Sequence, residues 1–127
     1  MTEQYQLTPV EYELMEILWM IKEGTVHDVM TYLPKGRDLA YTSVSTILRI
    51  LQQKKILTIK KMGRKHIYLP LLTKEIYASH SIKKMVKQVF AGNSVSLVAY
   101  LVNENTLSRD ELTTIQELLE VKKKEFI

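Results

Sequence analysis

Cysteine is absent from the 127 residues, which excludes disulfides, thiolate catalysis and Cys-based zinc or copper sites. Histidine is scarce: His27, His66 and His80 are scattered and give little material for a metal centre, so neither metal nor cofactor is expected. No apolar run approaches the roughly 18 to 20 residues that a membrane span needs. The N-terminal MTEQYQLTPVEYE has neither the basic nor the apolar region of a signal peptide, so the expectation is a cytoplasmic protein without a membrane partner. No Ser-His-Asp order, Gly-rich phosphate loop or clustered carboxylate pair is present, which argues against an enzyme. What is there is 46% apolar residue content, enough to bury a core, and an ordinary 25% charged fraction.

Acidic residues are missing from one long stretch. Residues 1–38 hold three basic against seven acidic side chains, residues 39–74 hold eight basic and no acidic ones, and residues 75–127 balance at seven each. A +8 segment creates a local positive potential that a polyanion can use, because each phosphate contact releases condensed counterions. Charge alone leaves membranes and acidic proteins open as partners.

The order of elements narrows this. Thr8-Pro9-Val10-Glu11 is a capping-box pattern with Pro at the first helical position. It opens a helix with Val10, Leu14, Ile17, Leu18 and Ile21 on one stripe and Gly24 as its stop. Thr25 caps a short helix over residues 26–33. A third helix near residues 42–53 buries Val44, Ile47, Leu48 and Leu51, and its other face carries Thr42, Ser43, Ser45, Thr46 and Arg49. That face is polar without being acidic, which suits phosphates and base edges, although Ser43 has a second reading as a cap. Two β-rich runs then flank Gly63-Arg64-Lys65 and predict a basic-tipped hairpin, with Lys60 on its first strand. Three helices followed by such a hairpin is the order of a winged helix-turn-helix, with the third helix as reader and the hairpin as wing. Trp19 and Tyr68 are expected in the core, Tyr41 either in the core or beside the reading helix, and His66 is assigned no role.

Beyond Pro70 three more amphipathic helices are predicted. Thr73 caps the first, to about Phe90; Gly92-Asn93 breaks the chain before the second; and Ser108-Arg109-Asp110-Glu111 opens the last with a second capping box. Ile82, Met85, Val89, Leu97, Leu101, Leu112, Ile115 and Leu119 form apolar faces too large for one chain to cover, and a second subunit is the simplest cover. The expected architecture is mainly α: a winged helix-turn-helix DNA-binding domain over residues 1–72, then a three-helix dimerisation segment over residues 73–127. A winged-helix protein-interaction module without specific DNA binding is the alternative. The 36-residue run without a carboxylate counts against it.

Three groups of residues carry a family resemblance. They are Leu7-Thr8 with Glu11, Glu13, Met15 and Leu18-Trp19; Leu39-Ala40-Tyr41-Thr42-Ser43-Val44 with Thr46 and Leu48; and Gly63-Arg64-Lys65 with Ile67-Tyr68. The chain thereby resembles the penicillinase-repressor family of the BlaI/MecI/CopY type. The resemblance implies a homodimeric bacterial transcriptional repressor that sits on inverted-repeat duplex operators, typically with TACA and TGTA half-sites. It departs from the family at three places. Lys54-Lys55 replaces the common Lys-Gly after the reading helix and predicts a strained left-handed position. The Cys-x-Cys cluster of copper-responsive members is missing. The candidate proteolytic site by alignment, an Asn-Phe bond in β-lactam-responsive members, is Tyr100-Leu101 here. Target genes, inducing signal and any sensor or protease pathway are not written in the sequence.

Overall fold

A computed structural model describes residues 5–126. Six helices and one hairpin follow one another as α1 (Pro9–Ile21), α2 (Val26–Thr31), α3 (Tyr41–Gln53), β1 (Leu57–Met62), β2 (Lys65–Pro70), α4 (Lys74–Val89), α5 (Ser94–Asn103) and α6 (Arg109–Lys124). Three helices, a wing and a helical C-terminal segment is the winged helix-turn-helix arrangement expected from the sequence. Among the described residues no single helix is long and apolar enough to cross a membrane.

Local chemistry starts the helices. Thr8 and Glu11 form a reciprocal capping box on α1, Thr25 and Asp28 do the same on α2, and Ser108 and Glu111 on α6. Ile76 N–H donates to Thr73 Oγ1 at the start of α4, and Ser96 N–H to Asn93 Oδ1 at the start of α5. The turn between β1 and β2 has two residues, Gly63 (φ +64°) and Arg64, and Met62 pairs with Lys65 across it. Gly at the first of two loop positions matches the right-handed twist of the strands.

Two helix ends correct the sequence reading. Helix α1 does not stop on Gly24: Lys22 takes the positive φ of +79° and donates its N–H to Leu18 O. Gly24 has a different duty, exchanging both backbone hydrogen bonds with Tyr68 at 2.8 and 3.0 Å and so tying the wing to the α1–α2 connection. A Cβ on Gly24 would stand 2.9 Å from the flexible end of Ile21, its Cδ1, and 3.0 Å from Asp28 Cβ, so the tight approach to the start of α2 favours glycine. Helix α2 ends at Thr31 rather than at residue 33. The end of α3 matches expectation: Lys55 sits at φ +63°, with Lys55 N–H on Gln52 O and Ile56 N–H on Leu51 O. That is a Schellman motif with lysine where glycine is usual, closed by the buried Leu51 and Ile56.

The chain divides into two compact units, Met1–Ile82 and Lys83–Ile127. In the first, Leu14, Met15, Leu18, Val29, Val44, Leu48 and Leu51 are completely buried and pack with Ile56, Leu57, Tyr68 and Leu72. Trp19 is half-buried, donates its indole N–H to Leu72 O at 2.8 Å and packs against Tyr77 of α4. Among the described residues of the second unit, Val86 is the one buried hydrophobic side chain.

Candidate nucleic-acid interface

Helix α3 presents its polar face outward because Val44, Leu48 and Leu51 anchor the opposite one. Thr42, Ser43, Thr46 and Arg49 are exposed and Ser45 is half-buried. Ser43 lies inside the helix and caps nothing; the N-cap is Ala40, which offers no side-chain acceptor. The first-turn N–H groups of α3 are therefore left without a side-chain cap, next to the exposed ring of Tyr41.

The far end of α3 is pinned. Lys54 Nζ lies 2.9 Å from Glu11 Oε2, and Glu11 Oε1 accepts the Thr8 N–H at the start of α1. Burial works against the Glu11 charge, but the Thr8 N–H and the Lys54 ammonium outweigh it and hold its pKa below the usual carboxylate value. The Arg37 Nε–H forks onto both Glu13 carboxylate oxygens, at 3.2 and 3.0 Å, and ties the α2–α3 loop to α1. Neither pair is visible in local sequence spacing, since the partners stand 43 and 24 residues apart.

The start of α3 and the wing tip meet in one open cleft of about 340 Å³. Tyr41 and Ser45 of α3, Arg64, Lys65, His66 and Tyr68 of the hairpin, and Thr25 to Asp28 at the start of α2 line it. His27 and Tyr41 pack ring to ring at 5.0 Å. Tyr68 is core, as expected, yet its ring also forms part of this floor; burial raises its phenol pKa, against the opposing charge of Arg49. Tyr41 is the first residue of α3, with an exposed ring, rather than a core side chain. Lys60 is exposed on β1 with its ammonium 3.0 Å from Glu23, so its charge already has a partner. Sequence pattern placed none of His27, His66 and Tyr68 at this cleft, because α2 and β2, far apart in the chain, supply them. Among the described residues no group of His, Asp and Glu is placed to hold a metal ion.

Ile82, the last residue of the first unit, is exposed; in the second unit Met85, Val89, Leu101, Leu112 and Leu119 are exposed, while Leu97 and Ile115 are half-buried. Tyr100 and Leu101 lie within α5, and both are exposed.

The sequence model of the family described as Penicillinase repressor matches residues 7–121. The chain belongs to the penicillinase repressor family. Its relatives include the methicillin resistance regulatory protein MecI of Mammaliicoccus sciuri, 25% identical over 118 residues that cover 93% of this chain and 96% of that protein. MecI of Staphylococcus aureus strain N315 matches to the same extent. The penicillinase repressor of Bacillus licheniformis is 24% identical over 115 residues, covering 91% of this chain and 90% of its own. The family is one of transcriptional repressors, and its match spans both the winged helix and most of the C-terminal segment.

Proposed function

We propose that this repressor is a homodimer that binds inverted-repeat duplex DNA. Residues 1–72 form the DNA-binding part, with α3 in the major groove and the wing on the backbone or minor groove, and residues 73–127 join the two subunits. One observation carries the reading: Tyr41 and Ser45, at the start of an α3 without acidic residues, line the same cleft as the cationic wing tip. Thr42, Ser43, Ser45, Thr46 and Arg49 are then the groove contacts, and Arg64 and Lys65 the backbone contacts. Lys60 adds to the field of this face only after parting from Glu23. Exposed apolar side chains along α4, α5 and α6 support pairing, because surface of this extent is unusual on a monomer.

Fluorescence titration of a labelled duplex at several salt concentrations tests this. Affinity is expected to fall steeply between roughly 50 and 200 mM salt as phosphate contacts release counterions. Thr46→Ala and Arg49→Ala are expected to relax sequence preference, costing about 1–3 kcal/mol at the base contacted. Arg64→Ala weakens selected and random duplexes alike. Salt-independent binding refutes the electrostatic interface, and a loss confined to the selected sequence makes the wing a reader.

A further inference from the structure

We propose that the cleft between α2, α3 and the wing is a seat for a single phosphate group, with the Tyr68 hydroxyl as a donor and Arg64 and Lys65 as its counter-charges. Taking that phosphate from a DNA backbone rests on the DNA-binding reading above; the donor set itself does not.

Tyr68 is 5% exposed and its ring is held in the core, yet its hydroxyl engages no hydrogen-bond partner among the described residues. Nor is that hydroxyl sealed in, since no fully enclosed side-chain N or O atom lacks a partner among those residues. A buried phenol normally satisfies its O–H, so one that reaches an open cleft without a protein partner is free to donate to a group from outside. Around it stand the uncapped N-terminus of the 13-residue α3, whose free N–H groups and dipole favour an anion, and the guanidinium and ammonium of the wing tip. Arg49 adds its field at Tyr68. The opposing charge on the rim is Asp28, whose carboxylate accepts the Thr25 N–H at 2.9 Å as part of the α2 cap. Three cations against one committed carboxylate leave the cleft positive. A hydroxyl donor, free helix N–H groups and cationic side chains lining one small cleft suit a tetrahedral oxyanion better than an apolar ligand.

Amide chemical-shift titrations on the full chain, with a random 30-base-pair duplex and separately with inorganic phosphate against chloride at matched ionic strength, test the proposal. Amides of residues 25–28 and 64–66 are expected to shift saturably. Tyr68→Phe, which keeps the ring and should keep the melting temperature, is expected to weaken the responding probe roughly tenfold, the effect of losing one charge-assisted hydrogen bond. Arg64→Ala, at an exposed position, supplies a second variant that leaves the core untouched. A response to duplex alone assigns the seat to the nucleic-acid backbone. A response to inorganic phosphate that also displaces duplex assigns it to free phosphoryl groups as well. If the duplex shifts α3 while the cleft amides stay still, or if Tyr68→Phe binds both probes as the parent does, the proposal is overturned and the DNA-binding reading survives. If phosphate fills the cleft and duplex shifts nothing, the seat stands and the DNA-binding reading falls.

Discussion

The two units of this chain spend their apolar residues in opposite ways. Between Leu14 and Leu72 a set of side chains closes on itself, seven of them without any exposed surface. From Lys83 onward the helices are as well capped and as amphipathic, yet Val95, Val98, Leu101, Leu118, Leu119 and Val121 remain exposed, several above half. Capping and periodicity are therefore sufficient to specify a helix and insufficient to specify where its apolar face goes. The first unit supplies its own answer through contacts distant in sequence. The second leaves its apolar faces uncovered within one chain, as the proposed dimer would require.

The largest expected effect follows from splitting that partner away. Leu101→Asp sets a charge into the proposed shared core, where a carboxylate without a counter-ion is strongly disfavoured. Sedimentation is expected to show monomers. Affinity for a duplex with two half-sites is expected to drop about 100-fold or more, because the second docking ceases to be intramolecular. A chain ended after residue 82 behaves alike and retains Tyr77 against Trp19. A dimer surviving Leu101→Asp places the subunit link elsewhere.

Core truncation sharpens the contrast. Leu48 is completely buried among α1, α2 and the wing, and Leu48→Ala is expected to cost about 2–5 kcal/mol at any protein concentration. Leu119→Ala, at a side chain 58% exposed in one chain, is expected to lower the melting temperature only in proportion to how far the dimer is populated. Melts at two protein concentrations separate the two behaviours, and a concentration-independent loss at Leu119 contradicts the comparison.

How much of this was legible follows the same division. Capping boxes, the Gly63 turn and the buried stripes of α1 and α3 involve residues a few positions apart, and pattern reading found them. It misread Gly24 because the residue pairs its backbone with Tyr68, 44 positions along the chain, and lies tight against Asp28 rather than ending a helix. It gave His66 no role because alternation along a strand says only that a side chain points outward, not that α2 and α3 complete a cleft beside it. The salt bridge of Glu11 with Lys54 was hidden in a residue whose local job, closing the α1 capping box, already accounted for it.

That double role makes Glu11 sensitive to pH. Its pKa is lowered in the fold, so its contribution is fully present above the unfolded value of about 4.3 and is lost as pH falls through the lower folded value. Glu11→Gln is expected to cost about 1–2 kcal/mol at neutral pH, toward the low end for a charged hydrogen bond because Lys54 is 37% exposed. The gap between parent and variant should narrow as pH falls below about 4.3 and close below the lower folded value. Urea titrations at pH 7 and in acid read both; a gap unchanged in acid removes the carboxylate from the account.

The smallest effect concerns the backbone, and it compares the units at equivalent points. Lys55 closes α3 at φ +63° in the first unit, and Ala91 stands at φ +51° after α4 in the second. A residue with a Cβ in this region carries about 1–2 kcal/mol of strain that glycine avoids. Glycine loses more chain entropy on folding, which returns part of the gain. Lys55→Gly is thus expected to stabilise the first unit by about 0.5–1 kcal/mol, read as a higher urea midpoint at unchanged slope. Its Schellman hydrogen bonds to Leu51 and Gln52 stay intact, so duplex affinity should hold. Ala91→Gly relieves the same strain in a segment without a closed core. There the gain should register mainly where the dimer forms, rising with protein concentration. Equal, concentration-independent gains at both positions would mean that the second unit is already a finished fold by itself, and that its exposed apolar faces serve something other than a second copy of the chain.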